Sequence, residues 1–421
     1  MCSMSISRQF ACSVLVPCLP FLLPSVASSS GGTEWGDPST PAAFVECATR
    51  KDPRVLEARA EYERALAARS GAGTWANPAL DAEALSPPSG GEGYKVSAGL
   101  LQPLAISGWR GHAVRAADYR IAAARIRLEA ARWQAGAETM AGLARLRQIT
   151  DESGMLDEAG KLCDMAIEKA DKLAFLTDEQ DTARQAFMWR RDAIRSRASQ
   201  LLNEELELQE KLAASIGGRM PREWSYPVPF RTDWPEWPAP GGASPVTAGL
   251  EVEAGAAKAH LRMARRERWP DISVGPFVES EPGTAASGDA VGWGARIGLS
   301  VPLFDRNQGG ISAADAERVR AESALAVGRL TAANRLKSLE GRYQRCVARL
   351  REYGLSFPQG GNPIEEVKAR YTAGRISAAV VLEALASCQE AVEGIHGLER
   401  ETYVTLWEGT YLSGAKEMPL P

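Results

Sequence analysis

Val291-Gly292-Trp293-Gly294-Ala295-Arg296-Ile297-Gly298-Leu299-Ser300-Val301 alternates along its whole length, with bulky or apolar residues on one parity and Gly, Arg or Ser on the other. Successive side chains of a strand point to opposite faces, so this segment presents one apolar face and one small or polar face. Such a strand suits a wall between lipid and water, and it equally suits a half-buried sheet in a soluble protein. In the first setting Val291, Trp293, Ile297 and Leu299 face lipid. The strand alone does not choose between the two.

The neighbourhood of this strand is written twice in the chain. Trp269-Pro270 precedes one strand candidate and Trp75-Ala76-Asn77-Pro78 another. Val301-Pro302-Leu303 follows the second hairpin as Gln102-Pro103-Leu104 follows the first. Asn307-Gln308-Gly309-Gly310 and Gly108-Trp109-Arg110-Gly111 each precede a long Ala-rich stretch, and Ala144-Arg145-Leu146-Arg147 returns as Ala348-Arg349-Leu350-Arg351. Landmarks kept in one order across half a chain mark an internal duplication.

Each half reads helix, strand, strand, helix, helix. In the first, 41–70 is helical and ends at Gly71-Ala72-Gly73, strands occupy 79–86 and 93–102, and helices occupy 110–149 and 156–215. The last two would measure on the order of 60 and 90 Å at 1.5 Å per residue. In the second, the order is helix 247–268, strands 271–280 and 290–302, then helices 312–353 and 363–411. This gives a first repeat over 28–218, a Pro- and Trp-rich crossover over 219–246, and a second repeat over 247–415. Trp224, Trp234 and Trp237 make the crossover either a strap over the helices or a surface linker.

The 421 residues carry 45% hydrophobic and 24% charged side chains and a net charge of −4. That balance is globular, and it leaves no broad basic surface for nucleic acid. Arg8, the apolar run Phe10–Leu23 and the small residues Ser25-Val26-Ala27-Ser28 predict a signal peptide over 1–27. Pro17 before Cys18 argues against a lipoprotein signal, without removing that alternative. Cys47, Cys163, Cys346 and Cys388 are too scattered for a disulfide framework or a zinc site. His112, His260 and His396 form no metal-binding motif, and no nucleophile elbow, P-loop or catalytic carboxylate pair stands out. The reading is of a non-enzyme without cofactor or bound metal. Past residue 27 no apolar run is long enough for a membrane helix, so a membrane role would be a barrel role.

Four strands cannot close a barrel, and an open sheet edge is not tolerated in hydrocarbon. Three copies supply twelve strands, so the membrane reading requires a homotrimer. Narrow Ala-rich seams at 113–145 and 313–333 suit helices packed side by side. The fold class is therefore mainly α with a membrane β-barrel contribution: a twelve-stranded barrel above a long α-helical barrel. A soluble coiled-coil rod is the alternative, and the hairpins between the helices disfavour it.

Asn77-Pro78-Ala79-Leu80, Leu101-Gln102-Pro103-Leu104, Trp269-Pro270-Asp271-Ile272-Ser273-Val274-Gly275, Leu299 through Gly309, and Arg370-Tyr371-Thr372-Ala373-Gly374-Arg375-Ile376-Ser377 resemble the TolC-like outer-membrane efflux proteins. The likeness leans to the branch that serves metal-exporting pumps and spans nearly all of the chain beyond the signal. It implies an outer-membrane trimer reaching through the periplasm, docked on an adaptor and fed by an inner-membrane pump of the resistance-nodulation-division type. The cargo it implies is small toxic solutes, metal ions before drugs. A duct for type I protein secretion and a soluble periplasmic scaffold or adaptor stand as alternatives. The resemblance further implies a pore constriction at Tyr371, Gly374 and Glu383, where some relatives carry a second acidic residue at the position of Val380. It implies an adaptor-docking tip at the turns Thr150–Met155 and Gly354–Asn362, with Arg147, Gly154, Met155, Arg351, Gly354 and Leu355 as contact residues.

Overall fold

The computed structural model describes residues 40–85, 95–104, 108–218, 230–231, 233–239, 241–281, 290–300, 304–356, 363–415 and 418. The expected signal segment, Cys18, the 86–91 turn, Val301-Pro302-Leu303, Trp224 and the 357–362 part of the second expected tip lie outside them. The chain begins with α1 (Pro41–Lys51) and α2 (Pro53–Ala72), then β1 (Ala79–Leu85) and β2 (Lys95–Leu104). The helices α3 (Trp109–Asp171) and α4 (Asp178–Ser215) complete the first half. The second half runs α5 (Pro245–Arg266), β3 (Asp271–Glu281), β4 (Ala290–Ser300), α6 (Gln308–Ser356), α7 (Pro363–Thr372) and α8 (Ala378–Leu412).

Local chemistry sets most boundaries. The Thr40 hydroxyl accepts from Ala43 N at 3.1 Å to start α1. The single helix expected over 41–70 is instead two, because Asp52 is extended and Pro53 cannot donate, and the Asp52 carboxylate then caps α2 by accepting from Arg54 N. Thr177 and Gln180 form a reciprocal capping box at α4.

The strands form one antiparallel sheet in the order β1-β2-β3-β4. β1 pairs Ala79 with Leu101, β2 pairs Val96 with Ser280, and β3 pairs Val278 with Trp293. A Cβ on Gly275 would meet the Leu100 carbonyl oxygen at 1.6 Å, so only glycine fits where β2 and β3 approach there. Each strand continues a helix: α2 enters β1, β2 leaves into α3, α5 enters β3, and β4 leaves toward α6. The helices neighbour one another in the same order, α2-α3-α5-α6. A four-strand wall thus becomes a four-helix wall without a crossing.

The 63 residues of α3 run roughly 95 Å. The expected break at Thr150–Met155 does not exist, because α3 continues through Gly154. Turn-forming residues predicted a stop, but Ile149, Glu152, Leu156, Ala159, Cys163 and Ala166 are all buried at alternating spacings of three and four. That seam packs on α4 and α8, and its burial outweighs the ~1 kcal/mol cost of one mid-helix glycine. The chain reverses instead at 172–177, and α4 returns antiparallel, as the Arg184–Asp171, Arg191–Asp164 and Arg145–Glu204 pairs show. The helix expected over 363–411 is likewise divided, at Ala373–Ser377.

Two larger cores and three smaller clusters hold the helices among the described residues. One larger core joins Phe44 and Val45 of α1 to Met140, Leu143, Tyr343, Leu350, Tyr403 and Trp407. The other joins the far half of α3 to Phe187, Ile194, Leu201, Ile364, Val381 and Leu385. The crossover is a strap: Trp234 is buried on Tyr403 at 4.7 Å, Trp237 packs on Tyr343 at 5.3 Å, and Tyr343 Oη donates to the Pro235 carbonyl at 2.6 Å.

Candidate functional site: a two-faced sheet and a distal helical bundle

Directly paired residues of antiparallel strands share a face, so the register extends the alternation of β4 to all four strands. One face carries Leu80, Ala82 and Ala84, then Val96, Ala98 and Leu100, then Ile272, Val274 and Val278, then Val291, Trp293, Ile297 and Leu299. Its large members are open, with Trp293 89% and Ile297 72% exposed. The opposite face carries Asp81, Glu83, Lys95, Ser97, Glu279 and Arg296 among glycines. Lys95 pairs with Glu279 at 2.5 Å, Arg296 pairs with Asp81, and the Arg296 guanidinium lies 5.2 Å from the Phe277 ring. A continuous exposed apolar face backed by an ion-paired polar one has the pattern that a wall between hydrocarbon and water requires. Among the described residues no helix is long and apolar enough to cross a membrane.

At the far end of the helices α7 is followed by Gly374, whose φ of +68° supplies the left-handed residue of a helix-closing turn. Arg375 N donates to the Arg370 carbonyl and Gly374 N to the Tyr371 carbonyl, satisfying two terminal acceptors. Tyr371 turns inward: its ring lies 6.1 Å from Phe187 and 5.2 Å from Lys169 Nζ, and burial pushes its phenol pKa up. Ser377 then caps α8. Two turns on, Glu383 is exposed between the buried Val381 and Leu385, and makes no hydrogen bond or ion pair among the described residues. The 172–177 turn of the first half has no left-handed residue, and there Leu173 is 47% and Phe175 93% exposed.

Between the two cores lies a polar cluster that sequence reasoning missed. Glu152, with its side chain 4% exposed, accepts from Arg145 Nη1 at 2.7 Å and Arg197 Nη2 at 3.3 Å, and His396 Nδ1 stands 2.9 Å away. Arg145 also makes two bonds to Glu204, at 2.6 and 2.7 Å. Gln148 Nε2 donates to Glu399 at 2.7 Å and to the His396 carbonyl at 3.1 Å, while Arg147 pairs with Glu399. Burial alone would raise the Glu152 carboxyl, but its bonds to His396 and Arg145 prevail and hold it at about 2. The signal was present in the chain: Gln148, Glu152, His396 and Glu399 are polar residues at positions where the seam is otherwise apolar.

The residues expected at a docking tip are therefore scattered. Arg147 is tied to Asp151 and Glu399 and stands over Phe230, Met155 is buried, and Gly154 is an exposed mid-helix position. Arg351 is exposed near the end of α6, and Gly354 and Leu355 continue its helical backbone. The repeated Ala-Arg-Leu-Arg string is thus buried and paired in one half and largely exposed in the other. The distal turns, 172–177 and 373–377, come together through Tyr371, Phe187 and Lys169.

No family profile matches the chain. It is 26% identical over 330 residues, 75% of its own length and 72% of the relative's, to the nickel-cobalt-cadmium resistance protein NccC of Alcaligenes xylosoxydans xylosoxydans. A shorter stretch of 90 residues, about a fifth of each chain, is 38% identical to the nickel and cobalt resistance protein CnrC of Cupriavidus metallidurans. Among solved structures, the MtrE outer membrane channel of Neisseria gonorrhoeae superposes with a TM-score of 0.71 over 90% of this chain and 89% of that one, at 14% identity. That superposition fixes the fold.

Proposed function

We propose that this chain, which has the fold of outer-membrane channels, is a TolC-like channel protein and not an enzyme: the exit duct of a tripartite efflux system, a passive path whose energy comes from elsewhere. The protein resides in the outer membrane and extends into the periplasm. The observation that carries the proposal is the strand-to-helix continuity: four strands with one shared apolar face each become a helix of an adjacent four-helix wall. β1 and β4 are the edges of that sheet, and an unpaired edge in hydrocarbon costs several kcal/mol per unsatisfied backbone group. Three copies pairing β4 to β1 close twelve strands around the polar face and twelve helices below them.

In that assembly the distal turns 172–177 and 373–377, with exposed Leu173 and Phe175, are the surface offered to a periplasmic adaptor, which links the duct to an inner-membrane pump of the resistance-nodulation-division type. Glu383 near the start of α8 contributes one carboxylate per copy to a ring that favours cations. Cargo of small toxic solutes, metal ions first, is supported by the resistance to nickel, cobalt and cadmium in the names of the two relatives.

Fractionation with an unheated gel tests the assembly: an outer-membrane protein running as a heat-sensitive trimer is expected, and a soluble monomer would sink it. Glu383→Ala is expected to change single-channel conductance or cation preference without loss of trimer. Unchanged values of both would remove Glu383 from the constriction. Deletion is expected to lower tolerance to nickel, cobalt or cadmium, and unaltered growth on all three would remove the metal assignment.

A further inference from the structure

The end of α5 carries Arg262-Met263-Ala264-Arg265-Arg266-Glu267-Arg268-Trp269-Pro270. Arg262, Arg265, Arg266 and Arg268 line, with His112 of α3 and Trp269, a recess of about 580 Å³ that no carboxylate of the described residues lines. In a chain of net charge −4, these four arginines, close together, make no ion pair among the described residues. The one acid in the run, Glu267, is turned away and accepts from Asn307 Nδ2 at 2.8 Å. His112 Nδ1 is buried and has no hydrogen-bond partner. Burial first, and then the charges of Arg115, Arg266 and Arg262, push the His112 imidazole pKa down. The terminal carbonyls of α5 favour one or two cations in its last turn, but they do not account for Arg262 and Arg268 around the same recess.

Position identifies the ligand. Arg268 lies four residues before Ile272, where the exposed apolar face of the sheet begins. Trp269 is 50% exposed and Trp75, over which Arg110 stacks at 4.3 Å, is 58% exposed. Half-exposed tryptophans beside arginines at the rim of an apolar wall mark the headgroup layer of a bilayer. We propose that this recess is a binding site for the phosphate of an anionic phospholipid headgroup in the periplasmic leaflet, held by Arg262, Arg265, Arg266 and Arg268 with Trp269 against the glycerol and upper acyl region. The proposal rests on the membrane reading of the sheet. Both lipid classes carry a phosphodiester, so net charge supplies the selectivity: the choline cation of a zwitterionic lipid is repelled by the same unpaired arginines that hold its phosphate, whereas an anionic headgroup meets no such repulsion.

The test uses the full-length protein extracted from outer membranes and titrated separately with short-chain phosphatidylglycerol, short-chain phosphatidylcholine and inorganic phosphate, with bound ligand read by native mass spectrometry. Phosphatidylglycerol is expected to bind preferentially, and Arg262→Gln/Arg266→Gln to weaken it on the order of 25-fold, about fivefold per arginine. Arg262→Lys/Arg266→Lys should retain most of the binding. Equal binding of the two lipids, or a Gln variant indistinguishable from the parent, would overturn the site. Binding of inorganic phosphate without phosphatidylglycerol would overturn the lipid assignment, as would an unchanged lipid preference with altered anion permeability. Outer-membrane recovery and the heat-sensitive trimer band are recorded on the same preparations. Their loss in the parent protein indicts the membrane reading, whereas lost selectivity in an intact trimer indicts the lipid site alone.

Discussion

Replacing Glu152 by alanine removes the carboxylate at the centre of the buried cluster and leaves its cations facing each other. Arg145 keeps Glu204, Arg197 keeps Glu393 at 3.3 Å, and His396 loses its partner. Removing one member of a buried ion pair costs about 3–5 kcal/mol, and the surviving Arg145–Glu204 bonds put this case near the lower end, at about 3 kcal/mol. The depressed carboxyl gives the same size independently: a fall from an ordinary ~4.3 to about 2 is worth roughly 3 kcal/mol. The cluster joins α3, α4 and α8, so its loss should lower the cost of opening that segment. Hydrogen exchange on the assembled protein is the assay: amides of 146–156 and 392–400 should lose protection by about 100-fold. Glu168→Ala is the control, since Glu168 and Lys172 form an exposed pair on the same helix, with side chains 67% and 72% exposed. Protection reduced less than threefold by Glu152→Ala, or reduced equally by Glu168→Ala, would refute the cluster's role.

The sign of the pH dependence follows from the same carboxyl. Its folded pKa lies below its unfolded one, so its stabilisation is complete above about pH 5 and lost as pH falls from ~4.3 toward 2. The difference between parent and Glu152→Gln should therefore shrink over that window in acid-unfolding curves, and a constant difference would contradict it. On the sheet, Ile297→Arg, two residues in from the rim pair Ile272–Leu299, should cost on the order of 1–2 kcal/mol per copy, between the interfacial and midplane values, and lower outer-membrane yield. Gly292→Ser, on the other face where a Cβ meets nothing within 4 Å, should leave that yield unchanged. Two glycines give opposite outcomes in thermal unfolding. Gly154→Ala should stabilise by up to about 1 kcal/mol, because the site is an open mid-helix position. Gly374→Ala should destabilise by about 1 kcal/mol, because φ is +68°. Destabilisation by Gly154→Ala would revive a turn at that position.

The sequence by itself determined what is periodic and local. Alternation along Val291–Val301 identified a two-faced strand, recurring landmarks identified the duplication, and Gly71-Ala72-Gly73 marked the end of α2. Tertiary structure decided what depends on partners. β1 alternates weakly when read alone, and only its pairing with β2 puts Leu80, Ala82 and Ala84 on the face of Val278 and Trp293. The polar cluster unites residues about 250 positions apart, Gln148 with Glu399 and Glu152 with His396, which no local window joins. Thr150-Asp151-Glu152-Ser153-Gly154 has the composition of a turn. It is helix because Ile149, Glu152, Met155 and Leu156 are buried against neighbours that come from α4 and α8, and burial exists only once those helices are in place.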